Sequence, residues 1–205
     1  MTMPFKKLHS DIQEKLVFFN ITKPTPFQTA SIPIIKSGTN VYCTAPKDSG
    51  KTTTLVLTTL QKLKCEASGN APRAVILVEN KERAMELYEL FLAYTKYNSL
   101  RVYVGHEQLH IDIQKSEIFE GTDILISTPK TMNKLFLLNG VSTAQLKIIS
   151  IDDAEFLSQH SSYSAIMSIS QSIQKCQYVI YSEKSTPMLK RFDSYFMEYS
   201  KIVSF

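Results

Sequence analysis

The chain has 205 residues, 43% hydrophobic and 20% charged, which is the size and make-up of one soluble globular domain with a substantial core. A net charge of +4 permits a nucleic-acid partner without requiring one. Cys43, Cys65 and Cys176 are scattered without metal-like spacing, and no apolar stretch is long enough to span a membrane, so a cytoplasmic protein with reduced thiols is expected.

In chain order, Ser10-Asp11-Ile12-Gln13 has capping-box form and predicts a helix to about Phe19. Thr25-Pro26-Phe27-Gln28 repeats that form, with proline at the first helical position, and predicts a second helix. Asn40–Ala45 reads as a strand and Lys51–Lys64 as a helix. Ala74–Val78 is an apolar run bounded by charge, hence a buried strand, and Ala84, Leu87, Tyr88 and Phe91 recur at helical spacing. Arg101–Val104 and Asp123–Ser127 read as strands, and Pro129 starts a helix through Leu138. Leu146–Ile151 is a strand that ends in acidic residues; Tyr178–Tyr181 and Ile202–Phe205 are the last strands, with helices before and between them. Repeated β-α units predict an α/β fold, a mainly parallel sheet with helices on both faces. Ligands of such sheets bind at the carboxyl ends of the strands, which directs attention to the loops after Ala45 and Ile151.

The loop after Ala45 ends in Gly50-Lys51-Thr52 at the start of a helix. Backbone N–H groups at a helix N-terminus attract phosphate, a lysine there reaches the terminal phosphates, and a threonine hydroxyl holds magnesium. Alone the tripeptide is weak; strand, loop and helix around it strengthen it. Asp152 and Asp153 arrive at the end of their strand, where one carboxylate can hold magnesium through water and the next can orient an attacking water. Acidic capping of the following helix is the plainer alternative.

Taken together these segments resemble the first RecA-like domain of the DEAD-box RNA helicases, over about Phe5 to Phe205. Lys23-Pro24-Thr25-Pro26-Phe27-Gln28 looks like the family's Q motif, and Ala45 through Thr52 resembles its A-x-T-G-x-G-K-T loop. Asp152-Asp153-Ala154-Glu155 stands where D-E-A-D would, Thr128-Pro129-Lys130-Thr131 resembles T-P-G-R, and Gly105-His106 sits at the paired-glycine element. Glu79-Asn80-Lys81-Glu82 lies at P-T-R-E, and Ser182-Glu183-Lys184 replaces S-A-T. The resemblance implies a P-loop NTPase fold, with a helical Q-motif region at 1–38 and a β-α core at 39–205. It implies ATP held by Gln28, Ile21, Ala45, Ser49, Gly50, Lys51 and Thr52, with Gln28 reading the adenine edge. It implies magnesium on Thr52 and Asp152, water activation by Asp153, and single-stranded RNA on Lys81, Gly105, Thr128, Pro129 and Lys130. The family's second RecA-like domain, which supplies arginine fingers, has no room in 205 residues, so unwinding by this chain alone is not expected.

The departures from the family pattern point to weak or absent hydrolysis. Asp48 replaces a loop glycine and puts a negative charge beside the phosphates. Ile21 stands where an aromatic would stack on adenine, and Asp153 is one methylene, about 1.5 Å, shorter than the glutamate it replaces. Ser182-Glu183-Lys184 loses the small coupling residues. On the RNA side Lys81 keeps charge but loses the bidentate fork of arginine, and Thr131 loses the charge. The alternative function is a nucleotide-independent module binding RNA or a protein partner; a small kinase or GTPase is disfavoured by the Gln28 segment. His9, His106, His110 and His160 read as exposed loop residues, not a metal set. Tyr94, Tyr97 and Tyr103 read as packing residues, and the Phe192–Tyr199 aromatics as the contact of a last helix with the sheet.

Overall fold

The apolar runs become the strands of one sheet in a computed structural model that describes residues 2–205. They are β1 (Val41–Thr44), β2 (Ala74–Leu77), β3 (Val102–Gly105), β4 (Ile124–Ser127), β5 (Ile148–Ile151), β6 (Gln177–Ser182) and β7 (Lys201–Ser204). All pairings are parallel, in the order β3-β4-β2-β5-β6-β1-β7. Successive side chains enter opposite cores: Val41, Cys43, Ile76, Ile126 and Tyr181 go to one, Tyr42, Leu77, Leu125, Ile149 and Ile180 to the other. A period of two with both faces buried is what helices on either side of a parallel sheet impose.

The first core is closed by α1 (Ser10–Phe18), α2 (Pro26–Lys36), α3 (Lys51–Leu63) and α4 (Lys81–Thr95). The second is closed by α5 (Ile111–Gly121), α6 (Pro129–Leu137), α7 (His160–Gln171) and α8 (Pro187–Lys190). Thr25, Asn80, Thr128 and Thr186 cap α2, α4, α6 and α8 through their side-chain oxygens, satisfying N–H groups that the helices leave open. The Thr25–Gln28 capping box forms in full. Among the described residues no helix is long and apolar enough to cross a membrane.

Several expectations are corrected. The box expected at Ser10 does not form: His9 is the cap residue, its Nδ1 accepting from the Asp11 N–H, and the Ser10 hydroxyl turns to Asp11 Oδ1. Helix α5 has no counterpart among the predicted elements, because it buries only Gln114 and Ile118 and so shows no apolar period. The last helix is one short turn, α8, continued by a 3₁₀ turn at Arg191–Ser194. Phe192 and Phe196 do pack there, against Tyr163 and Tyr178, while Tyr195 and Tyr199 stay exposed. His106 is buried, its Nδ1 accepting from the Gln108 N–H, and Tyr97 is exposed although Tyr94 lies in the core.

Parallel strands place every β-to-α loop at one edge of the sheet. The segments after β1, β2, β4, β5 and β6 therefore share a single rim, and the site is built there.

Candidate functional site

The loop between β1 and α3 is tied down from below. The Thr25 hydroxyl donates to the Ser49 carbonyl at 2.7 Å, and Gln28 Oε1 accepts from the Thr25 N–H at 3.0 Å. Gln28 Nε2 lies 3.5 Å from the Gly50 carbonyl. The buried Gln28 thus has its oxygen committed to the helix cap and its amide resting on the loop; the structure places it under the phosphate loop. Ile21 packs partly buried against the first core. Gly50 caps α3 with a left-handed φ of 95°, and a Cβ there would come within 2.7 Å of Gln28 Nε2, so only glycine fits. Asp48 also takes left-handed backbone, φ 62°, which aspartate tolerates better than most residues, and it is exposed. Lys51 is buried, and its Nζ donates to the Ala45 and Pro46 carbonyls at 2.6 and 2.9 Å. The lysine is curled into its own loop.

Facing it across the rim, Asp152 is almost fully buried. Burial pushes its carboxyl up to about 6, Asp153 adds to this, and the Arg83 guanidinium pulls against it. Arg83 is the residue that sequence reasoning missed. Its Nε and Nη2 donate to Asp152 Oδ2 at 2.9 and 2.7 Å, Nη2 also donates to the Thr52 hydroxyl at 2.9 Å, and Nη1 donates to Glu86 at 2.9 Å. Asp153 Oδ2 lies 3.5 Å from the same Nη2. A signal was present: Arg83 is the third residue of the helix that follows β2, and β2 pairs with β5, whose end leads into Asp152.

Thr52 and Asp152 are hard oxygen donors of the type magnesium takes. Here a guanidinium already bonds the Thr52 hydroxyl and Asp152 Oδ2, so the magnesium expected between them does not fit this arrangement. Asp152 Oδ1 is left without a partner among the described residues. Asp153 is half exposed with φ 46°, and it starts the 3₁₀ turn Ala154–Ser158. Glu155 Oε1 accepts from the Glu183 and Lys184 N–H groups at 2.5 and 3.4 Å, linking the ends of β5 and β6. A cleft of about 480 Å³ lies between these groups, lined by Asp48, Gly50, Lys51, Thr52, Arg83 and Asp153 with Lys47, Thr53 and Glu183.

The residues expected to hold RNA lie farther along the rim. Thr128, Pro129 and Lys130 line a second cleft, of about 400 Å³, together with Glu79 and Glu107. The Thr128 hydroxyl is spent: it donates to Glu107 Oε1 at 2.5 Å and accepts from the Thr131 N–H at 3.2 Å. Lys81 Nζ donates to Gln108 Oε1 at 2.7 Å on the surface. Gly105 allows close packing, since a Cβ there would sit 2.8 Å from Gln114 Oε1. Lys130 is the exposed cation at this cleft, set against two carboxylates.

Elsewhere, donor atoms of His9, Asp11 and Cys65 lie within 4.8 Å of one another, a grouping that chain spacing does not reveal. His9 Nδ1 is used in capping, and burial pushes the Cys65 thiol up to about 12, so the set is not arranged as metal ligands. A further cavity, of about 770 Å³, lies beside Asn70, Phe119 and Gly140, away from this rim.

Comparison with known proteins identifies a family and a fold. The family model described as DEAD/DEAH box helicase matches residues 25–186. The ATP-dependent RNA helicase DBP10 of Scheffersomyces stipitis is 31% identical over 148 residues, 70% of this chain and 16% of that protein. The ATP-dependent RNA helicase ddx54 of Dictyostelium discoideum is 31% identical over 141 residues, 68% of this chain and 13% of that protein. Among solved structures, a DEAD box protein from the hyperthermophile Methanococcus jannaschii is similar with a TM-score of 0.87 at 17% identity, covering 95% of this chain and 53% of that one. S. cerevisiae dbp5, bound to nup159, gle1, ip6 and adp, gives 0.81 at 17% identity, covering 96% and 52%. At that identity the two structures establish the fold, a RecA-like α/β domain.

Proposed function

The chain belongs to the DEAD/DEAH-box helicase family, and on that premise we propose that it is an ATP- and RNA-binding domain with weak or absent hydrolysis and no unwinding of its own. The observation that carries this reading is the convergence of Gly50, Lys51 and Thr52 from the β1 side with Asp153 from the β5 side on one cleft. The start of α3 offers backbone N–H groups and the positive end of a helix dipole to phosphate. Lys51 supplies the cation once it leaves the Ala45 and Pro46 carbonyls.

Turnover requires more than holding phosphate. A water must be aimed and its proton accepted by a carboxylate within hydrogen-bond reach. Asp153 is half exposed, short, and drawn toward Arg83, so it is poorly placed for that role. RNA contact through Lys130 and Lys81 is weak, sequence-independent and sensitive to salt, because it rests on few phosphate-neutralising charges. The chain spans a sixth or less of the curated helicases it resembles, so their full activity is not transferred to it.

A second reading is a nucleotide-independent module that binds RNA or a protein partner. It is favoured by the inward posture of Lys51, whose Nζ is already bonded to the Ala45 and Pro46 carbonyls. The complex of dbp5 with nup159 and gle1 supplies an example of protein partners for this fold.

An ATP titration combined with a phosphate-release assay, with and without single-stranded RNA, tests both readings. Saturable ATP binding with little release is expected. Rapid RNA-stimulated release would refute weak hydrolysis, and no binding by the native chain or by Asp48→Gly would leave the second reading.

A further inference from the structure

The geometry points to Arg83 as a built-in cation that takes the place of a divalent metal, so that this chain binds nucleotide polyphosphate without magnesium. The inference rests on the nucleotide-binding reading above and deepens it.

Three oxygen-bearing groups would surround a metal in this cleft: Thr52, Asp152 and Asp153. One guanidinium reaches all three, at 2.9 Å to the Thr52 hydroxyl, 2.7 Å to Asp152 Oδ2 and 3.5 Å to Asp153 Oδ2. The contact is not a chance surface pairing. Asp152 is buried, and the fork bonds it through both Nε and Nη2. The far side of the fork is held by Glu86, one turn along α4. The backbone that carries the side chain is fixed as well, because the Arg83 N–H donates to the Asn80 cap at 2.9 Å.

A planar fork held on two sides loses little freedom when it binds an anion. Guanidinium has five N–H groups. Four are taken by Asp152, Thr52 and Glu86 among the described residues, which leaves one on Nη1 for a phosphate oxygen. Arg83 lines the same cleft as Gly50, Lys51 and Thr52, which puts its guanidinium beside the phosphate loop. Magnesium would need its oxygen ligands at about 2.0–2.1 Å and could not share them with a cation hydrogen-bonded to the same atoms. Of the Thr52 and Asp152 oxygens only Asp152 Oδ1 is without a partner among the described residues, so a magnesium held here would rest on one of their oxygens, with water and phosphate supplying the rest.

The test is calorimetric titration of the native chain, Arg83→Met and Arg83→Lys with ATP, once in excess EDTA and once in excess magnesium. The native chain is expected to bind ATP equally well in both, within about threefold. Arg83→Met is expected to lose about tenfold or more in EDTA and to recover that affinity with magnesium. Arg83→Lys keeps the charge without the fork and should fall between them; it stands in if Arg83→Met fails to give a native melting transition. A rise of more than about tenfold in native affinity on adding magnesium overturns the proposal, as does EDTA binding that is indifferent to both substitutions. Uptake of manganese alone, followed by electron paramagnetic resonance, gives a readout independent of nucleotide. None is expected for the native chain, and manganese bound there and abolished by Asp152→Asn would overturn the proposal. Failure of every variant to bind ATP or inorganic triphosphate, with no manganese uptake, refutes the nucleotide reading instead and is distinguishable from metal-dependent binding.

Discussion

At Asp48 and Gly50 two neighbouring left-handed positions are filled by different means. Asp48 holds φ 62° with a side chain that tolerates it, and Gly50 holds 95° where no side chain fits. The cost at Asp48 is therefore charge, not backbone strain. Because that carboxylate is exposed, a like charge at about 4 Å costs nearer the ~1 kcal/mol of bulk water than the ~4 kcal/mol of a pair held against the protein surface. Asp48→Gly is expected to raise ATP affinity by roughly fivefold in a direct titration, with the gain shrinking as salt is added. An unchanged affinity would mean that the carboxylate turns away from bound phosphate. Gly50→Ala meets the opposite situation: its Cβ would lie 2.7 Å from Gln28 Nε2 at a strained φ. A loss of about 1–2 kcal/mol in stability and of most ATP binding is expected, read from a denaturant melt and the same titration. Lys51 and Thr52 could be read from the sequence because their chemistry is local. Arg83 could not, because its partners lie 31 and 69 residues away and only the assembled sheet, with β5 beside β2 and β1 beyond β6, brings them together.

Among the elements, α2 shows how a local signal gains a distant purpose. Thr25 and Gln28 form the capping box that their spacing predicts, and the same two side chains then hold the phosphate loop at Ser49 and Gly50. Thr25→Ala removes the cap and the tie together. It is expected to cost about 1–2 kcal/mol, read as a fall of several degrees in the melting temperature. It should also weaken ATP binding, because Ser49 loses its anchor. Thr25→Ser, which keeps the hydroxyl, should restore both; recovery of stability without recovery of binding would show that the tie to Ser49 is incidental. The sheet was legible because strands buried on both faces read as short apolar runs, and α4 because its buried residues recur at helical spacing. Helix α1 was legible but not its cap: the Gln13 N–H that a Ser10 box would take donates to the His9 carbonyl, and His9 Nδ1 accepts from the Asp11 N–H. Helices α5 and α8 bury too few residues to show a period, so packing against the sheet decides them.

Across the whole molecule the sheet has two unlike ends. The carboxyl end carries the cleft, where charges are held in reserve for a ligand. The amino end is locked by Asp123, fully buried just before β4. Its Oδ1 accepts from Arg73 Nη2 at 2.6 Å and from the Ser68 N–H at 3.1 Å, and its Oδ2 accepts from Arg101 Nε at 2.8 Å. Burial alone would raise this carboxyl, but the bonds from Arg101, Arg73 and Ser68 outweigh it and hold it below its ordinary value of 3.8. A depressed carboxyl stabilises the fold fully above that ordinary value, and the contribution is lost as pH falls through the lower folded one. Asp123→Asn leaves two arginines facing a neutral amide, Arg73 buried among them, and is expected to cost about 3–5 kcal/mol at neutral pH. For a chain of this length that corresponds to a fall of roughly 10 °C in melting temperature. The gap between native and variant should stay constant from neutral pH down to the ordinary carboxylate range and close only in stronger acid. ATP affinity measured below the variant's melting transition should not change, because the substitution lies at the opposite end of the strands. A gap that closed well above that range would show that Asp123 is not held low, and a coupled loss of ATP binding would show that the two ends of the sheet are not independent.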